Sequence, residues 1–302
     1  FNKNDVINTP INLPNNLVNP PSQLYKLKEY PELKLINKYI DENIFKNLNF
    51  NDVLNSVLSD LDVGCKKFLT NKVDRSVSGL IAQQQCIGPY QLPLSDYSIT
   101  KLNFNDYRGV ACSIGERPYI GLIDVEHMVN MSLGEMLTNL INVGIDNFNN
   151  IKLLGNWMWS TNIKDDNYLL YKAVNKLVKT LKKLEIGIDG GKDSLSMNTK
   201  YKDKIIKSPN SLVLSSYVLV PDLRLKLTPD FKCKNSAILY LPLSKYKRIG
   251  GSILLKKLNK IDEEYYTPNF ENIIEFKKIF EIIQYCIKNR YLNAGHDISD
   301  GG

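Results

Sequence analysis

The sequence lacks the patterns that build zinc sites, disulfide frameworks and membrane spans. Its five cysteines are scattered and form no C-x-x-C pair, so we expect free, buried thiols in a reducing compartment and no zinc site. No run of about 18 apolar residues occurs, which argues against a transmembrane helix. The first residues, Phe1-Asn2-Lys3, do not form a signal peptide. We therefore expect a cytoplasmic protein with no membrane partner.

The charge also excludes one class of partner. Lys and Arg number 39 against 32 Asp and Glu, a formal charge of +7, but the lysines lie in separated stretches such as Lys256-Lys257. No basic helix with interleaved aromatic residues occurs, so we expect no nucleic-acid partner. The 302 residues, 43% of them apolar, suit a globular chain of about two domains.

The pattern of apolar residues and prolines predicts an α+β chain in three parts. Residues 1–55 carry five prolines, at positions 10, 14, 20, 21 and 31, and are predicted to be a connecting segment with a short helix near residues 41–48. Residues 56–225 form the predicted N-terminal domain. Residues 226–302, where strands and helices are expected to alternate, form a predicted C-terminal α/β domain.

Several elements can be placed from periodicity alone. Apolar spacing predicts helices over residues 124–141, 167–184 and 270–288. Apolar runs with β propensity predict strands over residues 79–82, 97–100, 109–115, 211–220 and 237–241, the last of them buried.

Two oxygen-bearing side chains on the first predicted helix could bind a cation. Glu135 and Asn139 are four residues apart and leave the same helix face, a spacing that suits a hard cation such as Mg²⁺. Glu135 could instead close a capping box with Ser132. Asp96, in a turn before a predicted strand, could bind metal or serve ordinary turn chemistry.

The segment of residues 188–197 contains paired glycines followed by Lys192. It fits either a functional loop that binds a phosphate or carboxylate, or an ordinary Gly-Gly hairpin. It is not a Walker A loop, because Lys192 is followed by Asp193.

Three other features have structural interpretations. Cys86 has no histidine placed beside it by the sequence and is expected to be a buried structural thiol. His127 is expected at the surface of its helix. The aromatic cluster of residues 156–159 is expected in the core, with a pocket wall as the alternative.

The last residues, 296–302, place two carboxylates, a hydroxyl and two glycines within one turn. Asp297 and Asp300 could lie near one cation, and Ser299 could contact a phosphate at the start of a following helix. Because a domain seldom ends on such a turn, we expect the chain to be a fragment of a longer protein.

These motifs together resemble phosphoribosylformylglycinamidine synthase in its large single-chain form. The resemblance runs in family order from about residue 56 to the end, through residues 73–80, 85–96, 133–139, 155–159, 189–197 and 295–302.

The resemblance implies a fold and partners. The family contains two copies of a module similar to aminoimidazole ribonucleotide synthetase, each with an N-terminal α+β domain whose interface sheet pairs with the other copy, followed by an α/β domain. This chain resembles the second copy with a truncated α/β domain. Its expected partners are the first copy, the glutaminase domain of the same full-length chain and small-molecule substrates.

The resemblance also implies a ligase reaction. Formylglycinamide ribonucleotide, glutamine and ATP become formylglycinamidine ribonucleotide, glutamate, ADP and phosphate: ATP phosphorylates the amide oxygen, and ammonia then displaces phosphate. Mg²⁺ offsets the phosphate charge. The implied cofactors are Mg²⁺ and ATP or ADP.

The family's site residues can be transferred to this sequence. The implied metal ligands are Asp96, Glu135, Asn139 and Asp297, and the implied nucleotide-binding residues are Ser95 through its backbone, Ser299 and Lys66. No catalytic residue is assigned. In large-form members this copy holds a structural nucleotide, so we expect the fragment to be inactive alone.

Two alternatives remain open. The chain could be a non-catalytic scaffold that braces the first copy and the glutaminase domain. It could also resemble a kinase-like member of the same superfamily, such as a thiamine-phosphate or selenium-activating enzyme, although residues 156–159 and 189–197 argue against this.

Overall fold

The computed structural model describes Pro14 and residues 42–300 except 164, 245 and 262–264. The chain divides into a unit of residues 1–31 and a unit of residues 32–302, and all the elements below belong to the second. Residues 1–41 of the predicted connecting segment, apart from Pro14, lie outside the described residues. The domain boundaries at residues 55 and 225 stay predictions.

A six-stranded mixed sheet organises the described fold. The described strands are β1 (Ile81–Gln83), β2 (Ser98–Lys101), β3 (Gly109–Glu116), β4 (Lys152–Met158), β5 (Gly187–Ser194), β6 (Asn198–Tyr201), β7 (Lys204–Lys207) and β8 (Ser211–Val220). The order in the sheet is β1-β2-β3-β8-β4-β5, and β4 and β5 are its one parallel pair. A separate two-stranded ribbon pairs β6 with β7.

The helices of the described residues form a second layer and several connections. The helices are α1 (Phe50–Leu58), α2 (Lys67–Thr70), α3 (Pro118–Gly121), α4 (Val125–Leu140), α5 (Asp166–Leu184), α6 (Ile253–Lys257) and α7 (Ile273–Lys288), with short 3₁₀ turns at Glu42–Phe45, Val77–Gly79 and Phe148–Asn150. Helix α4 packs against β3 and β8, and α5 packs against α4. No helix among the described residues is both long and apolar enough to cross a membrane.

The core lies between the sheet and α4. Leu133, Met136, Leu137 and Leu140 of that helix are each 0% exposed, because the apolar stripe seen in the sequence faces β3 and β8. The carboxylate of Asp124 begins the helix by accepting hydrogen bonds from the backbone N–H groups of Glu126 and His127.

The α+β class and most predicted elements are confirmed. The helix predicted over residues 124–141 forms at Val125–Leu140, and the strand predicted over residues 211–220 forms at Ser211–Val220. The helix predicted over residues 270–288 starts three residues late at Ile273, where Asn272 caps its first N–H groups.

The prediction of a buried strand at residues 237–241 was wrong. These residues form no strand, and Ile238, Leu239 and Tyr240 are 79%, 74% and 70% exposed. Apolar β propensity predicts that a segment can pair, but pairing needs a neighbouring strand, and none lies beside this one among the described residues.

The glycine-containing segment at residues 188–197 forms neither of the predicted structures. Most of it is β5, which lies parallel to β4. A Cβ on Gly191 would collide with the backbone oxygen of Gly155. The glycine therefore permits close pairing of two strands and makes no turn.

His127 was expected at the surface but is largely buried. Its side chain is 23% exposed, and Nδ1 lies 2.6 Å from the hydroxyl of Thr267. Burial lowers the pKa of His127, with Lys176 and Arg248 also lowering it and Asp124 and Glu126 opposing them. The charged form is therefore disfavoured in the folded protein.

This shift predicts a pH dependence of stability. A folded-state pKa below the unfolded value of about 6.5 contributes stability that is present above that value and lost as the pH falls through the folded pKa. The variant His127→Gln keeps a neutral hydrogen-bonding group at every pH. Urea unfolding from pH 8 to pH 5 should show the wild-type stability falling toward, or below, that of the variant. A difference that stays constant over this range would contradict the assignment.

Candidate functional site

The candidate site is built along one polar edge of α4. Glu135, Thr138, Asn139 and Asn142 follow the spacing i, i+3, i+4 and i+7, so they share one side of the helix and of the turn after it. Glu135 and Asn139 contact the end of the strand Gly109–Glu116, Thr138 contacts Asp297, and Asn142 contacts Asp96. The otherwise buried helix thereby gathers segments that are distant in sequence.

Asp96 is held at the start of this edge by two polar neighbours. Its Oδ2 accepts a hydrogen bond from Asn142 Nδ2 at 3.1 Å, and its Oδ1 lies 2.7 Å from His296 Nδ1. The Asp96 side chain is 3% exposed. A carboxylate this deeply buried needs hydrogen bonds or a cation to remain charged.

Asp297 places a second buried carboxylate beside the first. Its side chain is 6% exposed, and Thr138 Oγ1 donates to its Oδ2 at 3.5 Å. One potential metal-binding atom from each of Asp96, His296 and Asp297 lies within 4.8 Å of the other two. Burial, and then the negative charge of Asp96, raises the pKa of Asp297 to about 6.

This pair of carboxylates fits a divalent cation. Two buried negative groups repel each other, and a cation between them would offset both the repulsion and the lost hydration. Carboxylate oxygens are the ligands that Mg²⁺ prefers. His296, which lies on Asp96, is placed to orient that carboxylate.

Glu135 and Asn139 lie on the same edge but have other partners. Glu135 Oε1 pairs with Arg117 Nη2 at 2.6 Å, and its Oε2 accepts the N–H of Glu116 at 2.7 Å. Burial raises the pKa of Glu135 to about 7, against the opposing effects of Arg117 and that N–H group. Asn139 Nδ2 donates to the carbonyl of Ile114 at 2.8 Å, which leaves its Oδ1 as the atom suited to a cation.

The capping-box alternative for Glu135 was wrong. The helix begins at Val125, so Ser132 and Glu135 lie in its interior, where no free N-terminal amide remains to be capped.

The predicted nucleotide-binding residues lie in three segments. Ser95 precedes Asp96, and its N–H donates to the carbonyl of Gln85. Ser299 lies two residues after Asp297 and is half-buried. Lys66 donates from Nζ to the carbonyls of Asp62 and Gly64, at 3.1 Å each. Their role as nucleotide ligands stays a prediction.

Other residues singled out in the sequence lie in structural positions. Cys86 is 1% exposed, and its thiol lies near Asn71 and the carbonyl of Thr70. Trp159 is 0% exposed, as expected for the core, and its indole donates to the carbonyl of Asp166. A cavity of about 340 Å³ is lined by residues of the 75–84 segment and by none of the predicted site residues.

Four site residues escaped the sequence reasoning. Asn142 continues the helical spacing of Glu135 and Asn139, and Thr138 lies between them, so the stripe itself was a usable signal. His296 adjoins Asp297 but had no local pattern of its own. Arg117 follows β3, 18 positions before Glu135, and nothing in the spacing links the two.

The site depends on a close approach between β3 and α4. A Cβ on Gly115 would collide with the backbone oxygen of Ser132 and the backbone nitrogen of Met136. In the same contact, the hydroxyl of Ser113 donates to the carbonyl of Met136 at 2.7 Å. Small residues on β3 therefore set the position of Glu135.

Comparison with known proteins finds a matching family model and several similar proteins that share one name. A family model described as the FGAR-AT PurM_N-like domain matches residues 65–219. The phosphoribosylformylglycinamidine synthase of Drosophila melanogaster is 41% identical over 93% of this chain and 21% of its own length. The human enzyme of that name is 37% identical over 84% of this chain and 19% of its own length. The chain thus spans about a fifth of the length of these curated relatives.

A solved structure, PurLQS from Thermotoga maritima, also matches. It is 15% identical to this chain, with a TM-score of 0.42, and the match covers 68% of this chain and 28% of that one.

The close contact at Gly115 predicts a large stability cost for one added methyl group. Gly115→Ala should lower the free energy of unfolding by about 2–3 kcal/mol, because the colliding atoms belong to the backbone and cannot rotate away. Gly190→Ala in β5 is the matched control, since its Cβ meets a side-chain atom of Leu154 at 3.3 Å. Urea unfolding of both variants measures the difference. Equal costs would show that the α4–β3 contact tolerates extra volume.

Proposed function

Because the chain belongs to the phosphoribosylformylglycinamidine synthase family, we propose that it is the part of a longer purine-pathway ligase that holds a magnesium nucleotide. The whole enzyme would convert formylglycinamide ribonucleotide, glutamine and ATP to formylglycinamidine ribonucleotide, glutamate, ADP and phosphate. The relatives named for this activity are about five times longer than the region they share with this chain. We therefore expect the chain to make no product alone.

One observation supports the nucleotide site above all. Asp96 and Asp297 are separated by about 200 residues, yet both are nearly inaccessible to water and lie side by side. Burying two carboxylates together is costly unless a cation offsets them. A bound cation would offset the charge of both carboxylates, which is the reason we give for this arrangement.

The residues would divide the work in the following way. Asp96 and Asp297 would bind Mg²⁺, with Asn139 and Glu135 as further oxygen ligands from α4. Bound Mg²⁺ would offset the negative charge of the nucleotide phosphates. Asn142, Thr138 and His296 would hold the carboxylates in place. Ser299, the Ser95 backbone and Lys66 would contact the nucleotide.

A scaffold role is the second candidate, and the open face of the sheet favours it. Ile114, Leu154 and Leu219 are 57%, 45% and 64% exposed there, on three neighbouring strands. An apolar face of this kind suits packing against another sheet. Such a surface and a nucleotide site are compatible, so ligand binding has to decide between a pure scaffold and a nucleotide-holding module.

Thermal unfolding with ligands tests the proposal. Mg-ADP at about a hundred times its dissociation constant should stabilise the chain by about 2.7 kcal/mol. ADP with a chelator should give much less. Asp96→Asn and Glu135→Gln should each abolish the Mg-dependent shift, because each removes a negatively charged ligand.

Asp203→Asn is the matched control, because Asp203 is exposed in the turn between β6 and β7. It should respond to Mg-ADP as the wild type does. A folded, nucleotide-free wild-type chain that shows no shift would rule out the nucleotide site and leave the scaffold role.

A further inference from the structure

Arg117 holds an unusual position beside the site. It follows the last residue of β3, and its side chain is 20% exposed. Its guanidinium pairs with two carboxylates at once, Glu135 Oε1 at 2.6 Å and Asp300 Oδ2 at 2.9 Å. The arginine thus links the α4 edge to the turn that carries Asp297.

The guanidinium of Arg117 therefore lies on an oxygen of Glu135, which is one of the proposed metal ligands. The Glu135 side chain is 16% exposed, and its second oxygen already accepts the N–H of Glu116. A cation that binds Oε1 would meet the guanidinium at a distance where two positive charges repel strongly. Cation binding at Glu135 therefore requires that Arg117 leave this oxygen.

The displaced guanidinium would need another acceptor. Asp300, whose side chain is 50% exposed, can accept hydrogen bonds from only some of the five N–H donors of the Arg117 guanidinium. A largely buried guanidinium that has lost one of its two carboxylate partners is destabilised. Phosphate oxygens, like carboxylate oxygens, match its planar set of donors, and a bound nucleotide would supply them.

We infer that Arg117 is a further ligand-binding residue, which occupies the cation's place on Glu135 in the free protein and binds the phosphate groups of a nucleoside di- or triphosphate once a cation has displaced it. This inference rests on the proposed nucleotide site. It makes cation and nucleotide binding mutually dependent, because each ligand resolves the charge that the other leaves uncompensated. It also selects polyphosphates over a nucleoside, which offers no acceptor of this kind.

The variant Arg117→Gln tests the inference through two binding measurements of opposite sign. The affinity for Mg-ADP, from isothermal titration calorimetry, should fall about 10- to 100-fold, the loss expected for a charged hydrogen-bonded contact. The stabilisation by MgCl₂ without nucleotide, from thermal unfolding, should stay equal or increase, because Glu135 no longer has a competing cation.

Arg108→Gln is the matched control. Arg108 lies just before β3, at its opposite end, and its exposed side chain pairs with Asp106 at 2.9 Å. It should change neither measurement. A merely structural role for Arg117 would instead weaken both responses of Arg117→Gln together, and that result, or an unchanged affinity for Mg-ADP, would overturn the inference.

Two further outcomes are separable. If Arg117→Gln does not fold, Arg117→Lys keeps the charge but loses the planar fork, and a folded lysine variant should bind Mg-ADP about three- to tenfold more weakly. Wild-type affinity in that variant would overturn the inference.

If the wild-type chain itself binds no Mg-ADP, the proposed nucleotide site fails and this inference fails with it. Wild-type binding that Asp96→Asn abolishes and Arg117→Gln leaves intact would refute the inference alone.

Discussion

The close packing of α4 against β3 and β8 is the constraint on which the described structure depends. Gly115 and Ser113 have side chains so small that the backbone of the helix lies directly against the strand β3. The hydroxyl of Ser113 is also hydrogen-bonded to Ser216 of β8 at 2.7 Å, which joins both central strands to the helix. A larger side chain in this contact would have to move the whole helix.

That packing gives the polar edge of α4 a fixed position. One side of the helix is apolar and lies in the core, so the residues at its border project along the rim of the sheet. There they meet the end of β3, the turn before β2 and the C-terminal turn. The positions of Glu135 and Asn139 are well defined because both residues belong to a rigid helix and not to a loop.

Electrostatics gives this edge its chemical character. Asp96, Asp297 and Glu135 are all removed from water, and the pKa values of the latter two are raised by burial. Two contacts offset the free-energy cost of burying these carboxylates: His296 lies against Asp96, and Arg117 pairs with Glu135. Buried carboxylates with shifted pKa values are typical of functional sites.

The sequence alone determined the local features. Apolar spacing predicted the helix over residues 124–141, which forms at Val125–Leu140, and the sequence singled out the oxygen-bearing residues 96, 135, 139 and 297, whose role as ligands stays a prediction. Tertiary structure decided the rest. It left residues 237–241 without a strand partner, placed His296 against Asp96 across 200 residues and paired Arg117 with Glu135. Local spacing encodes periodicity within one element, whereas these contacts depend on how distant elements pack, which no short pattern records.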